Sequence, residues 1–260
     1  MLSSSQVEQF HRDGFLRGGR MLSDEAVETL REEMGRVIHD RDKGGKQPVL
    51  CHNFSREDTP VWQIVNIWEA SAAYHDLIFH PTIVEEVAQL TGARTLRMWH
   101  DQIQYKPASQ GGINMWHQDS PLWPILMPKT AQVTAWIALD EVDEENGCMS
   151  MVPGSHHWGN QIGFLHTIKE YDDMPAGFQD RPIERRYCPV RRGEVHFHHA
   201  MTWHGSHANT SSRPRRAIAL HYMTEQTRYV ASGSHPMQPF VKVADGDKLE
   251  GDSFPLVWRG

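Results

Sequence analysis

Between residues 94 and 224 the chain repeatedly alternates apolar and polar residues, and this period of two constrains the fold more than any other feature. RTLRMWHDQIQYK, AQVTAWIALD, EVHFHHAMTW and RRAIALHYM each set successive side chains on opposite sides of an extended backbone. Turn signals divide them: EENG at 144–147, PGS at 153–155, Gly193, and Arg213 before Pro214. CMSMV and RPIERRYCPV add shorter strand-like runs. Many short strands separated by such turns predict a mainly β fold. The expected architecture is a double-stranded β-helix of the jelly-roll or cupin-like kind.

The first 92 residues differ and read as helical flanks. Ser3 to Ser5 can cap an amphipathic turn carrying Val7, Phe10 and Phe15, with a break at Gly14. A second helix starts after Ser23, with Glu25 and Glu28 early and Val27, Leu30 and Met34 at helical spacing. HPTIVEEVAQLTG opens with Pro81 and closes at Gly92. There is no internal repeat and no low-complexity linker, so residues 1–260 read as one domain. Its expected parts are helical over about 1–92, a jelly-roll core over about 94–224, and a C-terminal extension over 225–260.

Charge and composition narrow the function. Lys plus Arg number 26 against 33 Asp plus Glu, a net charge of -7 without any basic run, which argues against nucleic acid as a partner. No apolar stretch is long enough for a membrane span. MLSSSQVEQFHRDGF lacks the cationic start and apolar core of a secretory signal. Cys51, Cys148 and Cys188 offer neither a disulfide framework nor a CxxC clip, so a reducing cytoplasm is the expected compartment. The 17 histidines, several of them between His196 and His207, point to a metal site.

That site centres on HQD at 117–119. On an extended strand His117 and Asp119 share a face, and both would point into the barrel. A third ligand can come from a distant strand, and His204, just before a Gly-Ser turn, is well placed. Two histidines and one carboxylate form the facial triad of non-haem Fe(II) oxygenases. Three octahedral positions then stay open, two for a bidentate 2-oxo acid and one for dioxygen. The far carboxylate of such an acid needs a cation, and a buried guanidinium fork suits it. Arg215, eleven residues after His204, opens the strand RRAIALHYM; Arg216 would point the other way. From these residues alone two other readings stay open. One is a zinc-dependent jelly-roll enzyme, a hydrolase or isomerase, in which Arg215 grips no oxo acid. The other is a non-catalytic binding domain.

Taken together, HQD (117–119), WIAL (136–139), NGC (146–148), PGSH (153–156), GE (193–194), HGSHAN (204–209) and Arg215 fall in one order and spacing. The chain in this respect resembles the phytanoyl-CoA dioxygenase family of Fe(II)- and 2-oxoglutarate-dependent oxygenases. The resemblance implies iron ligands His117, Asp119 and His204. It implies 2-oxoglutarate contacts from Arg215, Ser206, Trp136 and Gln102, with O2 as the other co-substrate. Because Asp119 is kept where halogenating relatives lose the carboxylate, hydroxylation or a related oxidation of a C–H bond is implied, and halogenation is not. The substrate is expected to be a small molecule touching some of Trp123, Leu122, Tyr105, Gln63 and Asn66. His221 is expected to support a ligand, while Asn146, Gly147 and the PGSH residues read as turn structure. The acidic net charge weighs against a polyanion such as coenzyme A. Substrate identity and oligomeric state do not follow from the sequence.

Overall fold

The computed structural model describes residues 1–53, 62–109 and 111–260. Its α-helices are α1 (Ser4–Asp13), α2 (Asp24–Asp40), α3 (Ala72–Ile78), α4 (Pro81–Thr91) and the single turn α5 (Ile162–Leu165). The first eight strands are β1 (Phe15–Arg20), β2 (Leu50–Asn53), β3 (Trp62–Val65), β4 (Thr95–Lys106), β5 (Asn114–His117), β6 (Leu126–Met127), β7 (Gln132–Ala138) and β8 (Met149–Met151). The remainder are β9 (Gly177–Phe178), β10 (Arg181–Pro182), β11 (Arg186–Cys188), β12 (Glu194–His199), β13 (His204–Ser206), β14 (Arg215–Thr224), β15 (Arg228–Tyr229) and β16 (Leu256–Arg259).

Two antiparallel sheets make a jelly roll. The larger runs β1-β12-β7-β14-β4-β3-β2, with β16 also on β4; the smaller runs β11-β8-β13-β5. The larger sheet buries Ile103, Ile137, Val195, Phe197, Ile218 and Leu220 in one cluster with Val27, Leu30, Met34, Ile83 and Val87 of the helices. Alternation then sends Gln102, Gln104, Lys106, Trp136, Arg215 and His221 to the opposite face, toward the smaller sheet. The polar positions of these strands therefore line the barrel, while the apolar ones face the helices.

The N-terminal reading needs correction. Helix α1 has the expected cap: Ser3 accepts from the Gln6 amide while the Gln6 side chain accepts from the Ser3 amide. It ends at Gly14, whose φ of +83° reverses the chain. Phe15 then leaves the helix, and the buried pair Phe15–Leu16 starts β1 at the edge of the large sheet. Residues 50–53 and 62–65 likewise form strands on its other edge. These short edges carry little periodicity of their own and are fixed by pairing to long strands. The 225–260 segment returns to the core through β15 on β6 and β16 on β4. No helix among the described residues is long and apolar enough to cross a membrane.

Candidate iron and 2-oxoglutarate site

His117 closes β5 and lies directly across from His204 of β13. Gly205 permits the contact, since a Cβ there would lie 3.0 Å from the Asn114 carbonyl and 3.2 Å from the Trp116 amide nitrogen. The strand does not extend to Asp119 as the alternation suggested. Asp119 has helical dihedrals (φ -66°, ψ -55°) and leads into a 3-10 turn, Ser120–Leu122. The turn is held by Ser120 N–H donating to the Ala200 carbonyl at 3.0 Å. Gln118, between the two ligands, is fully buried and donates to the Met201 and Gly159 carbonyls.

One ligand atom from each of His117, Asp119 and His204 lies within 4.8 Å of the others. Asp119 Oδ1 is 3.6 Å from His117 Nε2 and 3.5 Å from His204 Nε2. Each imidazole is oriented by its own strand: Nδ1 of His117 meets the Met115 carbonyl at 2.7 Å, and Nδ1 of His204 meets the Thr202 carbonyl at 3.0 Å. Donation from Nδ1 leaves the two Nε2 lone pairs free to bind a cation. The other oxygen of Asp119, Oδ2, accepts from His198 Nε2 at 3.1 Å and Thr134 Oγ1 at 3.2 Å. The carboxylate is thus turned with one oxygen to the ligand set and one to supports. Burial alone would raise its pKa, but His204, His117 and His198 more than offset that and hold it well below the usual range. The donor set fits a divalent iron with open positions.

Next to the ligands lies a narrow cavity bounded by Trp136, Met149, Ser206, Ala219 and Gln104. Behind its Ser206 and Gln104, and lining a side cavity, Arg215, 1% exposed, pairs across the strands with Lys106, also 1% exposed. Arg215 donates to Ser206 Oγ at 3.3 Å and to the Gln104 carbonyl at 3.4 Å, and its guanidinium lies 5.5 Å from the centre of the Trp136 ring. Lys106 donates to Ser206 Oγ at 2.7 Å and the His207 carbonyl at 2.6 Å. Neither forms an ion pair among the described residues, and Arg215 Nε is buried without a partner. Burial lowers the Arg215 pKa to about 10; burial and then Arg215 lower that of Lys106 well below its ordinary value. Two buried basic groups without an anion among the described residues are costly to keep charged. Arg216 turns to the helix side and pairs with Asp140 at 2.8 Å.

On the other side of the ligands a pocket of about 250 Å³ is lined in part by Gln63, Gln102, Leu122, Trp123 and His221. Gln102 therefore faces this wider pocket, and Gln104 takes the place beside Trp136, donated to by its indole at 3.1 Å. Tyr105 borders only a side cavity shared with Gln102 and Arg215. Asn66 lines none of these cavities; it is buried and donates to Glu69 Oε1 at 2.7 Å. His221 reaches Asp119 through Thr134, whose Oγ1 is 2.8 Å from His221 Nδ1. Trp116 and Trp203 face outward, packed with Tyr171 and Leu165, because each is one residue from a ligand on a strand. Lys106, Gln104, Thr134 and His198 were missed by sequence reasoning. Alternation with Gln102 could have found the first two, and the strand HFHH the last.

Fold and site together define the class: non-haem Fe(II)- and 2-oxoglutarate-dependent oxygenases. The family model of phytanoyl-CoA dioxygenase (PhyH) matches residues 10–217, and the chain belongs to that family. It is 30% identical to ectoine dioxygenase of Nocardia farcinica, across 90% of this chain and 82% of that one. It is 25% identical to the peroxisomal phytanoyl-CoA dioxygenase of Rattus norvegicus, across 89% and 71%. A solved structure, the non-heme alpha ketoglutarate dependent carbocyclase SnoK from nogalamycin biosynthesis, superposes with a TM-score of 0.81 at 30% identity, covering 99% of this chain and 97% of that one.

Proposed function

We propose that this chain, as a single cytoplasmic catalytic domain, hydroxylates an unactivated C–H bond of a small organic molecule. The balance is R–H + O2 + 2-oxoglutarate → R–OH + succinate + CO2. One observation carries the reading: the buried, unpaired cations Arg215 and Lys106 stand beside three convergent ligand atoms. The distal carboxylate of 2-oxoglutarate would lie against Arg215, Lys106 and Ser206, and restore the charge that burial disfavours on Lys106. Iron(II) held by His117, Asp119 and His204 supplies the dioxygen-activating chemistry when bound. His198 and Thr134 hold Asp119 in place, and Trp136 and Met149 wall the co-substrate from water. Trp123, Leu122, Gln63 and Gln102 face the substrate. A zinc hydrolase would leave the cationic end without a use, and Asp119 occupies the position a halide would need.

The test is anaerobic titration of metal-free protein with Fe(II) and then 2-oxoglutarate, following the weak visible charge-transfer band of a chelated 2-oxo acid. Wild type develops the band. Folded protein that binds iron and never develops it refutes the mechanism. The likeness to a carbocyclase supports a second reaction outcome, ring closure, in which two hydrogens leave as water. Product mass separates the two: gain of one oxygen for hydroxylation, loss of two hydrogens for closure.

A further inference from the structure

The wider pocket has a hydrogen-bonding pattern set by proton accounting. A carboxylate only accepts, so the single hydroxyl hydrogen of Thr134 goes to Asp119 Oδ2. The same hydroxyl must then accept from His221 Nδ1–H, which leaves His221 Nε2 as a bare acceptor. His100 Nδ1 lies 3.2 Å from the Asp101 carbonyl, which cannot donate, so Nδ1 carries the hydrogen. Its Nε2 is buried and has no partner among the described residues. His235 Nδ1 instead accepts from the Met237 amide at 3.2 Å, so its Nε2 carries the hydrogen and donates. The three rings are neighbours: His100 lies 4.7 Å from His221 and 5.7 Å from His235, centre to centre. Burial pushes His100 well below its ordinary pKa and His235 down to about 4, so both are uncharged near neutrality.

Apart from Asp119, the described residues of the remaining walls carry no ionic group. Gln63 and Gln102 offer amides, Trp123 stands at 4.9 Å from His221, and Leu50, Val65 and Pro236 are apolar. Among the described residues the only charge lining this pocket is the ligand Asp119. A phosphate or carboxylate could accept from His235 and the amides, but among the described residues it would find no cationic side chain to balance its charge.

We propose that this pocket binds an uncharged ring bearing neighbouring hydroxyl groups, a cyclic polyol or glycoside, as the molecule to be oxidised. Its O–H groups donate to Nε2 of His221 and to the side-chain oxygens of Gln63 and Gln102, one of its oxygens accepts from Nε2–H of His235, and its apolar face rests on Trp123. The assignment rests on the oxygenase reading only for the word oxidised; the binding itself does not depend on iron.

Isothermal titration calorimetry tests it with phenyl glycosides of several neutral hexoses, myo-inositol, phenyl glucuronide and coenzyme A as probes. Each is titrated into metal-free protein and into protein carrying Fe(II) and 2-oxoglutarate without oxygen. At least one neutral probe should bind about tenfold or more tighter than the glucuronide and coenzyme A, because only the acids go unpaired here. Two variants remove polar partners singly, Gln102→Leu and the loop His235→Phe. Each should weaken that neutral probe by about tenfold or more. The proposal is overturned if an anionic probe binds as tightly as the best neutral one, if no neutral probe binds, or if folded His235→Phe binds it unchanged. Failure of the neutral probes with the charge-transfer band intact removes this substrate class and leaves the oxygenase reading standing. A missing band with neutral binding intact does the reverse.

Discussion

Along the paired strands β4 and β14 the interior row runs from Lys106 opposite Arg215 to His100 opposite His221. The ends are six residues apart, about 20 Å, and are built from different chemistry. One holds two cations with no anion; the other holds neutral histidines, amides and a tryptophan. The ligands His117, Asp119 and His204 lie between them. Such sorting orients two small molecules without large interfaces: an acid is stable only at one end, and an uncharged molecule loses nothing at the other. Binding the acid also removes the cost of the unpaired cations, so 2-oxoglutarate should raise the melting temperature as well as bind.

The largest expected effect strikes the divide itself. Asp119→Ala removes the carboxylate between the two ends and should lower Fe(II) affinity by more than about a hundredfold, since losing a mere support of a ligand costs about 10–100-fold. Calorimetry with Fe(II) under anaerobic conditions reads this directly, and undiminished affinity would place the metal elsewhere. Next, Arg215→Ala should raise the 2-oxoglutarate concentration that half-develops the charge-transfer band by about a hundredfold. The affinity of the other end for a neutral probe should stay the same. Arg215→Lys should fall between, keeping charge without the fork. If both ligands weaken equally, the two ends are not separate and the comparison fails.

His198→Phe is expected to act more mildly, lowering metal affinity by about 10–100-fold while Arg215-dependent co-substrate binding persists on the residual iron complex. It tests whether the clamp on Asp119 Oδ2 matters beyond packing; Thr134→Val should give the same direction. The smallest effect concerns the neutral histidines as a group. His196 is 2% exposed, lies 5.8 Å from the Phe15 ring, and burial lowers its pKa to about 3. Its folded pKa lies below its unfolded value of 6.5, so the unfolded chain takes up the proton first. Its stability contribution is complete above pH 6.5 and is lost as pH falls from there toward 3. His196→Gln should therefore shrink the loss of stability between pH 7.5 and pH 5.5 by about 1 kcal/mol, measured by urea unfolding at both values. An unchanged pH dependence would show that His196 is not held neutral.

The site was more legible than the frame around it. HQD and HGSHAN carry the three residues whose ligand atoms converge, because each motif sits beside a turn. Arg215 was readable from its spacing to His204, yet its strand partner Lys106 was not, although both lie in plainly alternating runs. Gln102 and Gln104 share a face, and only the fold puts Gln104 on the narrow cavity beside Trp136, because depth along the barrel is not a sequence property. Asn66, a candidate substrate contact in the sequence, is a buried residue with a left-handed φ of 57° that lines none of the cavities described.

Local sequence decided which residues alternate, where helices are capped and where the chain turns, because those depend on neighbours within a few positions. It also singled out His117, Asp119 and His204, whose capacity to bind a metal is a matter of residue type. Only the folded chain decided which face of each strand is inside, since a period of two defines two faces and names neither. Helices cover the apolar face of the large sheet, so the polar face becomes the interior, the reverse of a sheet with one side in water. Register decided the rest. Pairing over more than a hundred residues sets Arg215 against Lys106 and His221 against His100, and nothing within either strand specifies that alignment.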